Sequence, residues 1–286
     1  MTVSRTDLVN MFCGGKTFHW GQRTYVMGII NLTPDSFSGD GLAGRRDQAI
    51  ERALAFQEAG ADILDLGAYS TRPGHTPVSE AEELKRLIPT LSAIVSRIKI
   101  LVSVDTFRVK VAREALDAGA CMINDVWGLK VEPGLAGMAA QRRAALVLMH
   151  NQSNTQYQDL VPDIMASLET SVDRALSSGM SGNNLVIDPG IGFGKNADQS
   201  LEVLGRLNEF RSLGYPLLVG PSRKSSIGKV LGLPLEERLE GTAAAVALAI
   251  ASGADIVRVH DVKEMVRVAR MTDAIVRGWR PAGWQP

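Results

Sequence analysis

One pattern, repeated eight times, limits what this chain can fold into: a short apolar run that stops at a polar residue. The runs are TYVMGIIN (24–31), ADILDLG (61–67), ILVSVDT (100–106), ACMINDV (120–126), ALVLMH (145–150), LVIDPG (185–190), PLLVGPS (216–222) and ADIVRVHD (254–261). Between them lie segments with helical spacing, such as RRDQAIERALAFQEAG, SEAEELKRLIPTLSAIVSRI, RVKVAREALDAG and RLEGTAAAVALAIASG. Near-continuous apolar strands alternating with helices make a parallel sheet covered on both faces. Eight such units in 286 residues predict an α/β chain folded as a single (β/α)8 TIM barrel, whose usual length is about 250 residues. A doubly wound open sheet normally has fewer units and a nucleotide fingerprint after its first strand. No such fingerprint follows Asn31.

The barrel is expected over residues 24–280, preceded by an N-terminal extension over 1–23. There TFHWGQRTYV reads as a strand, a tight turn at Gly21 and a second strand, a hairpin closing the bottom of the barrel. Hydrophobic residues make up 45% of the chain, enough for a large core, and 31 basic side chains balance 31 acidic ones. With no charge excess to neutralise a phosphate backbone, nucleic acid is excluded as a partner. The longest apolar run, Ala243 to Ala251, is too short to span a bilayer, so no membrane association is expected. MTVSRTDLVN lacks the apolar segment of a signal peptide. Cys13 and Cys121 have no zinc spacing and form no disulfide framework, and Cys121 reads as a small core residue. A cytoplasmic protein is therefore expected.

In a (β/α)8 barrel the side chains at the carboxyl ends of the strands converge on one mouth. The strand-end polar residues are thus site candidates: Asn31, Asp65, Asp105, Asn124, Asp125, His150, Asp188, Ser222, Arg223, Lys224, Arg258 and His260. After Asn31 comes a loop rich in oxygens, with Thr33, Asp35, Ser36, Ser38 and Asp40, suited to a metal or a phosphate. Asp105, Asn124 and Asp188, in register, can present oxygens to a flat heterocycle bearing N–H donors, with Lys224 meeting its carbonyl. Arg258 and His260, two apart on one strand, point to the same side and with the Asn31 loop can hold an anion and its metal. The loops after strands seven and eight are the usual phosphate site of this fold.

Plainer explanations compete at several positions. Asp65 and Asp125 can equally cap helices or bond loop amides. His150 reads as a hydrogen-bonded wall residue rather than a base, and His19 and His75 as solvated. GIGFGK (190–195) is not a phosphate loop, because Pro189 stands where a Walker glycine is needed and Asn196 where a metal-binding Ser or Thr belongs. GGKT (14–17) has Asn10 in place of that glycine and no strand before it, so it reads as a turn. The four histidines form no clustered zinc spacing. A magnesium ion arriving with substrate phosphates fits better, since Mg2+ is usually held by one or two protein oxygens plus the phosphates.

Eight ordered motifs carry a family resemblance: GIINLTPDSFS, DLGAYSTRPG (65–74), VSVDTF (102–107), INDVWG (123–128), LMH (148–150), DPGIGFGK (188–195), GPSRKSSIG (220–228) and VRVHD (257–261). Together they resemble dihydropteroate synthase from Met27 to Asp261. The resemblance implies a folate-pathway transferase with a pterin-binding barrel, joining 4-aminobenzoate to 6-hydroxymethyl-7,8-dihydropterin diphosphate, with Mg2+ as cofactor and a homodimer as assembly. It implies a pterin pocket of Asp105, Asn124, Asp188 and Lys224, walled by Met149 and Phe193. It assigns the diphosphate and magnesium to Asn31, Arg258 and His260, and the aminobenzoate to Phe37, Thr71, Arg72, Pro73, Lys224 and Ser225. Of these, Asp105, Lys224, Arg258 and His260 are the residues expected to carry catalysis. Departures from the family pattern fall on the acceptor side: Ser38-Gly39-Asp40-Gly41 shifts a loop carboxylate by one residue, Ala68-Tyr69 replaces Gly-Glu, and Pro221 and Ser226 replace Thr and Phe. A catalytically silent pterin-binding paralogue and a pterin-dependent methyltransferase are the competing readings.

Overall fold

The computed structural model describes residues 8–32, 46–69 and 78–285. Eight parallel strands follow the eight apolar runs: β3 (Tyr25–Asn31), β4 (Ile63–Gly67), β5 (Leu101–Asp105), β6 (Met122–Asp125), β7 (Ala145–Met149), β8 (Leu185–Asp188), β9 (Leu218–Val219) and β10 (Ile256–Val259). They run in the order β8-β7-β6-β5-β4-β3-β10-β9. A parallel bridge between Ile187 and Leu217 joins the two ends of that order and closes the barrel. The helices are α1 (Arg46–Ala59), α2 (Glu80–Val95), α3 (Val109–Asp117), α4 (Gly134–Gln141), α5 (Leu160–Ser177), α6 (Ala197–Gly205), α7 (Ser225–Leu231), α8 (Leu239–Ser252) and α9 (Val262–Val276).

Local chemistry explains several boundaries. Ser79 accepts from the Glu82 N–H to start α2, and Glu80, Glu82 and Glu83 put negative charge on its first turn. Asn196, which spoils GIGFGK as a phosphate loop, is the cap of α6: its side chain accepts from Gln199 N–H while Gln199 returns a bond to the Asn196 N–H. No helix among the described residues is long and apolar enough to cross a membrane.

The N-terminal hairpin lies earlier than its expected place. Its strands are β1 (Met11–Cys13) and β2 (Lys16–Phe18), paired antiparallel with Cys13 opposite Lys16. The turn is Gly14-Gly15, with φ of +54° and +77°, two successive left-handed residues whose twist matches that of the flanking strands. Gly21, also left-handed at φ +80°, serves instead to lead the chain from the hairpin into β3. GGKT is therefore a turn as expected, but a strand does precede it.

Two cores result. The larger fills the layer between strands and helices, with Ile30, Leu64, Leu66, Ile123 and Val257 on the outer faces of their strands. The smaller is the barrel floor, where Met11, Cys13, Phe18 and Trp20 pack on Met27, Ile63, Leu101, Met122, Val186 and Ile256. The hairpin thus plugs the bottom and leaves the carboxyl ends of the strands as the open mouth.

Candidate active site

Because side chains alternate across a strand, the floor residues identify which positions face inward. Counting up in steps of two from Met27, Ile63, Leu101, Met122, Val147, Val186 and Ile256 reaches Asn31, Asp65, Asp105, Asn124, Met149, Asp188, Arg258 and His260 on the same inner face. The register sets their heights: Asp105 pairs with Asn124, whereas Asp188 pairs with Met149. Asn124 itself pairs with Val147, so Asp188 sits one inward step beyond the Asp105–Asn124 rung. The three do not share one rung as the sequence implied, because strand tilt in a closed barrel staggers the register.

Arg258 occupies the centre. Its Nε donates to Asp65 Oδ2 at 2.6 Å and its Nη2 to Asp105 Oδ2 at 3.1 Å. Asn124 Nδ2 donates to the same Asp65 oxygen at 3.0 Å. This orients the amide with its oxygen away from Asp65, and Asn124 Oδ1 is a buried acceptor with no hydrogen-bond partner among the described residues. Burial raises the Asp105 carboxyl well above its ordinary range, with Arg258 opposing and the Asp65 carboxylate reinforcing the shift. Burial works against the Arg258 charge, yet Asp65 and Asp105 outweigh it and hold the guanidinium firmly protonated.

Asp188 forms the second part of the pocket. Its Oδ1 accepts the Gly190 N–H at 2.7 Å, and burial pushes its pKa up to about 6 against the pull of that bond, Lys224 and Lys195. Lys224 stands at the start of α7 with its Nζ 4.2 Å from the Phe193 ring centroid, a cation over an aromatic wall. Met149 is buried at the end of β7. Ser225, the first residue of α7, is exposed beside Lys224.

The third part lies between β9 and β10. Ser222 Oγ is 2.9 Å from His260 Nδ1 and also accepts the His260 backbone N–H at 3.2 Å, fixing the ring's orientation. Arg223, with φ +55°, turns aside to pair with Asp261 through Nε at 3.0 Å and Nη2 at 2.5 Å. It belongs to the scaffold, and its reversal of direction is what separates Ser222 from Lys224. Asn31 is half-buried at the end of β3, opposite Gly67 of β4. Thr71 and Arg72, with Phe37, Pro73 and Asp40, lie outside the described residues. Just before that segment, Tyr69 meets Phe107 edge-on at 5.2 Å. Arg108 lies 5.3 Å from both rings and is anchored on Glu83 and on the Val78 carbonyl at 2.6 Å.

The plainer explanations divide. Asp125 points outward and accepts the N–H groups of Trp127 at 2.9 Å and Leu129 at 2.6 Å, a loop-bonding residue. His150 is a buried wall residue whose Nδ1 contacts Lys195, and His19 is exposed. Asp65 is neither a helix cap nor a loop anchor: it tethers Arg258 and Asn124. Its signal was legible, since it lies two positions above Ile63 in an alternating strand. Lys195 was missed because it sat inside a rejected phosphate-loop pattern.

The family model of pterin-binding enzymes matches residues 27–260. A dihydropteroate synthase of Clostridium beijerinckii is 48% identical, with 93% of this chain and 100% of that protein aligned. Among solved structures, a Clostridium difficile dihydropteroate synthase crystallised in the presence of pteroic acid superposes with a TM-score of 0.87 at 49% identity. That alignment covers 91% of this chain and 99% of the other. The Xanthomonas albilineans enzyme with 4-aminobenzoic acid superposes with a TM-score of 0.88 at 39% identity, covering 96% and 100%.

Proposed function

The chain belongs to the dihydropteroate synthase family of pterin-binding enzymes, and on that premise we propose how its residues divide the reaction among them. It is a transferase of folate biosynthesis, condensing 6-hydroxymethyl-7,8-dihydropterin diphosphate with 4-aminobenzoate to 7,8-dihydropteroate and diphosphate. The observation that carries the pterin assignment is Asn124 Oδ1, a buried acceptor without a partner among the described residues, on the same inner face as the carboxylates of Asp105 and Asp188. A buried acceptor left without a donor costs roughly 1–3 kcal/mol. The amide and amino N–H groups of a pterin supply such donors, Lys224 meets the ring carbonyl, and Met149 and Phe193 sandwich the ring.

Diphosphate leaves an exocyclic CH2 whose cation the dihydropterin ring delocalises, so the path is dissociative. The arylamine is neutral at pH 7 and already nucleophilic, and no strong general base is needed. Catalysis rests on positioning and on stabilising the departing charge. Arg258 and His260 take that charge, while Asp65 and Asp105 keep the guanidinium aimed at it. Thr71, Arg72 and Ser225 hold the 4-aminobenzoate.

Asn31 suits Mg2+: it brings one neutral, hard oxygen to the inner rim. Among the described residues no cluster of three or more His, Cys, Asp or Glu side chains forms a metal cage of its own. An ion held by one protein oxygen and the substrate phosphates matches that donor set. When bound it neutralises diphosphate charge. Two free thiols, Cys13 and Cys121, fit a reducing cytoplasm. Exposed apolar side chains on α8 and α9 fit a homodimer.

The test is product formation from both substrates with and without Mg2+. Dihydropteroate and diphosphate should appear together and fall sharply on chelation. Pterin binding without any product would instead establish a silent paralogue, and undiminished turnover after chelation would remove Asn31 from its metal role.

A further inference from the structure

The turn after β8 supplies two pocket groups, yet its own backbone gives it little regular support. Gly190, Gly192 and Gly194 all have left-handed backbones, with φ of +71°, +76° and +56°. Inside it the Phe193 N–H donates to Gly190 O at 3.1 Å. A side chain at Gly190 is impossible, since a Cβ there would lie 2.0 Å from the His150 carbonyl oxygen. This glycine-rich segment nonetheless fixes the Asp188 carboxylate through Gly190 and the Phe193 ring beneath Lys224.

Lys195 is what draws it together. The side chain is 8% exposed, and its Nζ lies 3.0 Å from each of three acceptors: His150 Nδ1, Gly190 O and Phe193 O. An ammonium has three N–H donors and no acceptor, so the match is one to one when His150 Nδ1 is unprotonated. Burial, with Lys195 and Lys130 nearby, lowers His150 to about 3 and keeps it neutral. A buried cation persists only with compensation. Burial lowers Lys195 to about 7, with Asp188 opposing the fall and Lys224 and Lys130 adding to it, so the side chain is a full cation only below neutral pH.

We propose that Lys195 is a positioning residue of the pterin site: by binding His150, Gly190 and Phe193 at once it holds the 189–195 turn in shape, and with it the Gly190 N–H on Asp188 and the Phe193 ring. This rests on the assignment of Asp188 and Phe193 to the pterin. Asp188 is pushed up to about 6 by burial, and Gly190, Lys224, Lys195 and Arg258 restrain the rise. Removing the Lys195 charge removes one restraint, so Asp188 then takes up its proton at higher pH than in the unmodified protein.

Calorimetry of a free pterin lacking phosphates, measured across pH 5 to 8, tests this with the unmodified protein, Lys195→Met and His150→Asn. Lys195→Met should weaken pterin binding about tenfold at pH 6, where the ammonium is charged, the scale of a lost charged hydrogen bond. It should also move the acidic fall-off to higher pH while leaving the KM for 4-aminobenzoate unchanged. Lys195→Met with unmodified pterin affinity and fall-off would overturn the proposal, as would equal weakening for both ligands with an unmoved fall-off. If Lys195→Met does not fold, His150→Asn keeps the ammonium and loosens one anchor: weaker pterin binding with an unmoved fall-off supports the proposal, and unchanged affinity refutes it. A pterin that binds the unmodified protein at no pH would defeat the pocket assignment itself, which separates that failure from failure of Lys195 alone.

Discussion

At the scale of single residues, the site sets buried carboxylates against a small number of cations. Asp188 is the clearest case. Both of its oxygens are acceptors only while it is ionised, since protonation turns one into an O–H donor, and burial pushes its pKa up to about 6. The sign follows directly: the Asp188 contribution to pterin affinity should be full above that pH and decline as pH falls through it, with Asp105, raised to about 7, declining in the same sense. Asp188→Asn places an amide donor against ring donors in a desolvated pocket. The expected loss is about 2 kcal/mol or more of pterin binding, together with loss of the part of the acidic fall-off that Asp188 contributes, leaving the part that belongs to buried Asp105. Calorimetry across pH checks both, and unchanged affinity would remove Asp188 from the pterin site. Arg258 and His260 serve a different ligand group. Arg258→Ala and His260→Ala should each lower turnover and diphosphate binding far more than binding of a pterin without phosphates. Equal losses for the two ligands would contradict that division.

At the scale of elements, α8 is the unusual member. The seventh barrel unit contains two helices, short α7 carrying Ser225 and then α8, TAAAVALAIAS at its heart. Val246, Ala249 and Ile250 pack inward, whereas Ala244 and Leu248 face out, with Leu248 at 66% exposure. On neighbouring α9, Met271 and Ile275 are exposed one turn apart. Exposed apolar side chains on two neighbouring helices are most simply covered by a second copy across a two-fold axis. Ala247, by contrast, is half-buried, so the outward position to probe is Leu248. Leu248→Glu should convert a dimer to a monomer in light scattering without changing helix content. A monomer before substitution, or a dimer untouched by Leu248→Glu and Ile275→Glu together, would exclude this face.

At the scale of the whole molecule, the barrel has one sealed end and one reactive end. The hairpin's Met11, Cys13, Phe18 and Trp20 cover a floor of Met27, Ile63, Leu101 and Met122. Its turn fits closely: a Cβ at Gly14 would lie 2.6 Å from Leu101 Cδ2 and 2.8 Å from Cys121 Sγ. Deleting residues 1–23 should therefore expose this apolar floor, at about 1.5–3 kcal/mol for each large side chain uncovered. The expected result is a steep fall in Tm and binding of an apolar dye. An unchanged melting profile would show that the floor is closed without the hairpin.

The chain's sequence alone settled the eight strands, the helices between them and the convergence of Asp105, Asn124, Asp188, Arg258 and His260 on one mouth. Those features depend on local periodicity, and a period of two tells which side of a strand a residue takes. It also carried eight ordered motifs and so the family. Only the tertiary structure decided who touches whom. That Asp65 bridges Arg258 and Asn124, residues 193 and 59 positions away, depends on barrel closure and stagger. Asp65 and Asp125, alike as strand-end acids, took opposite roles because one faces the lumen and the other the loop. The hairpin shifted to Gly14-Gly15 because two left-handed glycines outweigh one. Lys195 emerged from a failed motif for the same reason: its burial and its bond to His150, 45 positions away, depend on barrel closure, even though its other two acceptors, Gly190 and Phe193, lie in its own turn.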